Sequence, residues 1–140
     1  MPEFEIHARG HENVRATHES TLELTTDTWL TPAGDCIVGV AADTGAADVP
    51  DHVVRACQSR EARITLALCV DGHTDRITAR GHPELTFADP RSMVLRTSTY
   101  CDDRTIGVGA DRAAADLDRS LVAHLQTGVP LEATLAVEAS

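Results

Sequence analysis

The chain has 140 residues, 42% of them hydrophobic, enough for one compact domain with its own core and too few for two independent ones. Its 22 acidic residues against 12 basic ones give a formal net charge of −10, which weighs against a nucleic-acid partner, because that binding rests on neutralising phosphates with cations. The longest apolar runs are too short to cross a bilayer, and the amino terminus, MPEFEIHARGH, lacks the basic start and apolar centre of a secretory signal, so a cytoplasmic protein with no membrane partner is expected.

Phe4 and Ile6 alternate with polar neighbours up to Gly10, the pattern of a half-buried strand that ends in the phrase ARGH at 8–11. After a loop through Glu12 and Asn13, residues 17–26 alternate again, and WLTPAG at 29–34 supplies the Pro and Gly of a turn, so a second strand and a hairpin are expected. CIVGVA at 36–41 is short and rich in β-branched residues, as in a strand buried on both faces. Val49, Val53 and Cys57 then recur every four residues behind Pro50, which a first helical turn tolerates, and this predicts a helix to about Ser59. Residues 62–70, ARITLALCV, return to an extended apolar pattern, and Asp71-Gly72 is a turn signal. The unit reads β-β-β-α-β.

The same order is then written again. Residues 74–82 end in ARGH, 93–99 alternate, and 105–109 are short and apolar. A helix is expected to start near Asp111 with Asp111 as its cap, to bury Ala113, Leu117, Leu121 and Leu125, and to stop at Gly128 and Pro130; residues 131–137 form the last strand. ARGH recurs at an offset of 71, GVAAD at 39–43 returns as GVGAD at 107–111 with an offset of 68, and TLA at 65–67 returns at 134–136 with an offset of 69. Three phrases in one order at nearly one offset predict an internal duplication. The expected fold is therefore a single α+β domain, 1–140, with repeat one at about 4–70 and repeat two at about 74–138. It has about eight strands and two helices with pseudo-two-fold symmetry, either as a sheet or barrel-like.

The phrases GHENVRATHESTLELT, LTPAGDCIVGVAAD and RTIGVGADRAAADLDRSL resemble those of an archaeal family known as domain of unknown function 371, and the likeness runs from the first ARGH to the second helix. The resemblance implies an archaeal, cytoplasmic protein and supplies no reaction, so no catalytic residue is carried over from it. Arg112 departs from it, standing where lysine is expected after the second Ala-Asp; the chain contains no lysine, and all 12 basic residues are arginine. An acidic, lysine-free surface suggests solubility in concentrated salt, as in a halophilic cytoplasm, and hence a haloarchaeal member. A mildly acidic protein of a GC-rich genome is the bland alternative.

Cys36, Cys57, Cys69 and Cys101 show no CxxC pairing, and free thiols are the default in a cytosolic protein. Cys57 and Cys69 lie in apolar periodic stretches and read as core.

One geometric argument points to a site. If the first three strands form an antiparallel meander, strands one and three run the same way, and the end of ARGH meets the end of GVAAD. Arg9, His11, His18 and Asp43 then converge, with Arg80, His82 and Asp111 placed likewise in the second copy, where Asp89 falls in the region of His18. Imidazoles with a carboxylate suit a divalent transition metal, with His11, His18 and Asp43 as ligands, or a general base with its orienting partner. Arginines beside them suit a small anionic ligand. Against this stands turn chemistry: Gly10-His11 and Gly81-His82 could be turn residues with a positive φ at glycine, and Asp111 a helix cap. No HExxH, Walker loop or GxGxxG is present. His7, His52, His73 and His124 read as surface residues, and Asp102-Asp103 and Asp116 with Asp118 as solvated faces. The functional expectation is a small-molecule- or metal-dependent enzyme with its site at the ends of strands one and three. The alternatives are a non-catalytic binding or regulatory module for an anionic ligand or RNA, and a protein-interaction subunit.

Overall fold

Four long segments alternate apolar and polar residues with period two, and all four turn their apolar set toward one centre. In the computed structural model, which describes residues 2–138, these are β1 (Glu3–Arg9), β4 (Arg63–Val70), β5 (His73–Arg80) and β8 (Pro130–Glu138). Ile6, Ile64, Leu66, Leu68, Ile77, Leu131 and Leu135 are buried on their inner face, and the four pair antiparallel in the order β1-β8-β4-β5. The β4–β5 hairpin turns at Asp71 (φ 51) and Gly72 (φ 84), the two positive φ angles that a tight hairpin turn demands.

The second sheet has the order β3-β2-β6-β7, from β2 (Thr21–Thr25), β3 (Ile37–Gly39), β6 (Ser92–Arg96) and β7 (Thr105–Gly107). Leu22, Leu24, Met93 and Leu95 face the first sheet and complete the core. Single bridges, Arg9 to Val40 and Arg80 to Val108, join the edges of one sheet to the outer strands of the other. The eight strands thus close into a barrel-like ring with two one-bridge seams.

The antiparallel meander does not form. β1 belongs to the opposite sheet from β2 and β3, β2 and β3 run parallel, and β1 meets β3 antiparallel at the Arg9–Val40 bridge. Nor do residues 29–34 close a hairpin; their turn is satisfied locally, Gly34 N donating to Thr31 O (3.0 Å), inside the longer connection that a parallel pair requires. Cys69 is also corrected: it sits half-buried on the outer face of β4, whereas Cys57 is in the core.

The helices are short, α1 (Asp51–Cys57) and α2 (Arg119–Leu125). The first falls where expected, while the second starts eight residues beyond Asp111. Acidic side chains interrupt the intervening chain: Asp116 accepts from Ala113 N (2.9 Å) to hold a 3₁₀ turn (Ala114–Asp116), and Asp118 caps α2 by accepting from Ser120 N (2.8 Å) and Leu121 N (3.3 Å). Both residues are therefore terminators of local structure, which is where short acidic side chains compete best for amides. Ala113, Leu117, Leu121 and Leu125 are nevertheless all buried, as the sequence pattern requires.

Exchanging β1 with β5, β2 with β6, β3 with β7 and β4 with β8 reverses both strand orders and leaves them otherwise unchanged. Left-handed backbone recurs at matching places too, Ala16 (φ 50) with Phe87 (φ 50) and Ala41 (φ 53) with Gly109 (φ 57). Among the described residues no helix is long and apolar enough to cross a membrane.

Candidate functional site

Each ARGH phrase ends a strand of the first sheet and turns the chain across the end of a helix. At Gly10 a side chain would place its Cβ 1.9 Å from Leu125 O, at the end of α2; at Gly81 it would lie 2.2 Å from Cys57 O and 2.3 Å from Ser59 O, at the end of α1. Neither glycine is among the residues with positive φ. They are glycines because backbone passes through the space of a side chain, not because of a left-handed conformation. The contact is crossed: the first phrase packs on the second helix and the second phrase on the first.

The histidines hold the turn that follows. His11 Nδ1 accepts from Asn13 N (3.0 Å), and His82 Nδ1 accepts from Glu84 N (3.0 Å), which leaves Nε2 to carry the proton of each neutral ring. Gln126 Nε2 donates to Val14 O (2.8 Å) beside the first turn, and Gln58 Nε2 donates to Leu85 O (2.8 Å) beside the second. His82 is buried and His11 half-buried.

Asp43 and Asp111 lie away from the phrase ends. Asp43 Oδ1 accepts from His7 N (3.1 Å) and from the Thr44 hydroxyl (2.9 Å), and its own amide donates to His7 O (2.9 Å). Asp111 repeats the brace on Thr78, accepting its amide (2.9 Å) and donating to its carbonyl (2.9 Å). These carboxylates extend the one-bridge seams by imitating a further strand pair, so Asp111 is no helix cap. His18 sits before β2, where Nδ1 accepts from Ser20 N (3.2 Å) and Thr21 N (3.1 Å). Asp89 does the same before β6, accepting from Arg91 N (2.7 Å) and Ser92 N (3.3 Å).

The proposed metal set is thereby dispersed: His11, His18 and Asp43 each serve amides of separate segments. Among the described residues no group of three or more His, Cys, Asp and Glu side chains is arranged to hold a metal ion.

The arginines of the two phrases are different. Arg9 reaches into an open groove of about 470 Å³ that also holds His11, Thr28, Gln126 and Thr127, and Nη2 donates to Gly128 O (3.0 Å). At the corner formed by the second ARGH phrase, a groove of about 340 Å³ is lined by Arg60, Arg63 and Arg80 with Glu61 and Glu138. None of the three guanidiniums makes an ion pair within 4 Å with a described residue. Three of the chain's 12 arginines converge there although the molecule as a whole is strongly anionic. Arg80 was legible from the repeated phrase; Arg60 and Arg63 were not, since a helix end and a strand start carry no motif.

A second polar cluster lies on the outer face of the β3-β2-β6-β7 sheet. The Cys36 thiol donates to Glu23 Oε1 (3.6 Å), Arg104 lies 3.9 Å from that same oxygen and 3.5 Å from Asp102, and Arg96 pairs with Asp102 (2.9 Å) while lying 4.9 Å over the Tyr100 ring. Asp102 also accepts from Thr105 Oγ1 (2.8 Å), so the solvated reading of Asp102-Asp103 is corrected for Asp102. Burial, with Glu23 beside it, pushes the Cys36 thiol up to about 11, and burial alone pushes Cys57 up to about 12. A thiol held protonated is a poor nucleophile, and no buried side-chain nitrogen or oxygen among the described residues lacks a partner. The cluster is closed chemistry that ties loops to the sheet.

Residues 6–138 match the family described as domain of unknown function (DUF371), and the chain belongs to that family. It is similar to an uncharacterised protein of Methanocaldococcus jannaschii, 38% identical over 129 residues that cover 92% of this chain and 95% of the relative.

Proposed function

We propose that the protein is a non-catalytic binding module for a small anionic ligand bearing phosphate or carboxylate groups, held at the corner where Arg60, Arg63 and Arg80 converge. The observation that carries this reading is the concentration of three guanidiniums in one small groove of a protein whose net charge is −10. The three guanidiniums outnumber the two carboxylates of the groove, Glu61 and Glu138, so the corner is locally cationic, and an anion can accept the forked donors of the arginines. The enzyme reading loses its support because the histidines and aspartates on which it rested are engaged with backbone amides. RNA is disfavoured, since three arginines neutralise too few phosphates against so acidic a surface.

Isothermal titration with inorganic pyrophosphate tests the proposal. Binding to the intact protein is expected, with each of Arg60→Ala, Arg63→Ala and Arg80→Ala weakening it on the order of tenfold, the loss of one charge-assisted hydrogen bond. Arg9→Ala, at the other corner, is expected to leave it unchanged. Absence of binding, or equal binding by the triple variant, overturns the reading.

Two wider inferences accompany it. The palindromic strand orders and the recurrence of each phrase on corresponding elements support an origin by internal duplication. The acidic, lysine-free composition supports a haloarchaeal, cytoplasmic setting.

A further inference from the structure

Among the described residues none layers the outer face of the β1-β8-β4-β5 sheet, and its charge is arranged in an unusual way. Its two central strands present small side chains in the middle of the face, Thr65 and Ala67 on β4 and Thr134 and Ala136 on β8, all half-buried. The register sets Glu5, Thr134, Ala67 and Arg76 in one row across the sheet. On this face β1 begins acidic, with Glu3 and Glu5, and ends in His7 and Arg9, while the opposite edge strand is basic, with Arg76 and Arg80. Glu3, Glu5, Arg76 and Arg80 are exposed, and Glu3, Glu5 and Arg76 have no ion-pair partner within 4 Å among the described residues. The edges are three strand spacings apart, about 14 Å, so Glu5 and Arg76 do not pair within one chain.

We propose that this face is the interface of an isologous dimer, two copies of the chain stacked sheet on sheet about a two-fold axis that runs parallel to the strands between β8 and β4. That operation keeps every row in register with itself and lays β1 of one copy over β5 of the other. Glu5 then faces the partner's Arg76, and the pair forms twice by symmetry. The small residues of β4 and β8 meet at the axis, where they let two sheets approach to the usual distance of about 10 Å. The other face-to-face arrangement, with the axis across the strands, lays β5 over β5 and brings the basic edges together, which like-charge repulsion disfavours. A second copy is thus the occupant that the charge pattern itself selects. Sheet twist turns stacked sheets by about 30° and swings the end rows apart, so the corner of Arg60, Arg63 and Arg80 remains open at the rim.

The face measures about 19 by 25 Å, close to 500 Å² per copy and about 1,000 Å² in all, at the lower end for specific interfaces. The dimer is accordingly expected to be weak, and to need enough salt to screen the long-range repulsion between two chains of charge −10 without abolishing the ion pairs at contact.

The test is sedimentation equilibrium of the full chain in about 0.15 M KCl, where the screening length is about 8 Å, across micromolar to millimolar concentration. Wild type is expected to approach twice the chain mass. Arg76→Glu, and separately Glu5→Arg, are expected to weaken association on the order of tenfold or more, and the double variant carrying both to regain it. Circular dichroism confirms that each variant is folded, which exposed positions at strand edges should tolerate. The regained association is decisive, because within one chain the two residues are too far apart to compensate. A wild type that is monomeric throughout overturns the proposal, as do single variants that associate normally or a double variant that stays monomeric.

Discussion

Asp75 on β5 ties the approach to α2 to the edge of the sheet through Arg112, and Asp75→Asn measures that tie. Arg112 grips the carboxylate with both terminal nitrogens, Nη2 at 2.9 Å from Oδ2, and also donates to Arg76 O (2.7 Å) and to Asp116 O. Asp118 N donates to the same Oδ2 (2.8 Å), so one carboxylate fixes the 3₁₀ turn and the cap of α2 to the edge of the sheet. The Arg112 hydrogen bond foremost, then the amides of Asp118 and Arg76, hold the Asp75 carboxyl down at about 2 from an ordinary 3.8, against the opposing effect of burial. A depressed folded-state value stabilises the fold above the unfolded value and loses that contribution as pH falls toward the folded one. The shift corresponds to at most about 2.5 kcal/mol. With the Asp75 side chain 13% and the Arg112 side chain 30% exposed, solvent screening reduces the net contribution to about 1–2 kcal/mol.

The assay is urea unfolding of wild type and Asp75→Asn at pH 7 and pH 3. Many carboxylates titrate in this range, so the difference between the two proteins isolates one of them. It is expected to be about 1–2 kcal/mol at pH 7 and to fall to roughly half at pH 3, between the two values. A difference that stays the same at both pH values would show that Asn is disruptive by shape and that charge contributes nothing. Arg112→Lys, which keeps the charge and loses the fork, is expected to recover only part of the stability.

Gly10→Ala and Gly81→Ala should each cost more than about 3 kcal/mol in thermal or urea unfolding, since the new Cβ would sit 1.9–2.3 Å from carbonyl oxygens; Gly72→Ala, strained only in φ, should cost about 1 kcal/mol. His18→Asp and Asp89→His should be nearly neutral because each keeps an acceptor before its strand, whereas His18→Ala should cost about 1 kcal/mol. The acidic, lysine-free surface should make the melting temperature rise from dilute to molar KCl as the screening length shrinks from roughly 30 Å to about 3 Å, and a flat or falling value would refute the salt-adapted reading.

Element identity was legible because burial imposes its period on sequence. Ile64, Leu66, Leu68 and Val70 alternate with outward-facing residues along β4, and that pattern has only one reading. Strand partners were not legible. Nothing in residues 17–41 distinguishes a meander from a parallel β2–β3 pair that meets β1 only through a one-bridge seam at β3, because pairing is decided by which edges remain free once the whole core is filled. The site argument inherited that error: with β1 and β3 opposed, Asp43 lands beside His7, two residues short of the end of the strand. The start of α2 was misplaced for a local reason, since the aspartates at 116 and 118 can serve equally as helix residues or as caps, and tertiary contact with Asp75 decides between them.

The positions shared between the two halves and the positions that differ have separate jobs. Gly10 with Gly81, Asp43 with Asp111, and Gln58 with Gln126 match in residue type, and all of them manage backbone: a close approach, a seam, a turn. Even the exchange of His18 for Asp89 preserves one acceptor for two amides. Where the halves differ in charge, the side chains reach solvent or one another: Gly128 against Arg60 at the grooves, Glu5 against Arg76 on the open sheet face, Phe4 and Thr44 against the Asp75–Arg112 pair. Repetition therefore marks the scaffold, and a residue present twice is evidence of architecture before it is evidence of chemistry. What this protein binds should be sought where its halves disagree, at Arg60 and Arg63, which turn the corner beside the repeated Arg80 into a cationic groove, and at Arg76; each of the three has a counterpart without positive charge in the other half.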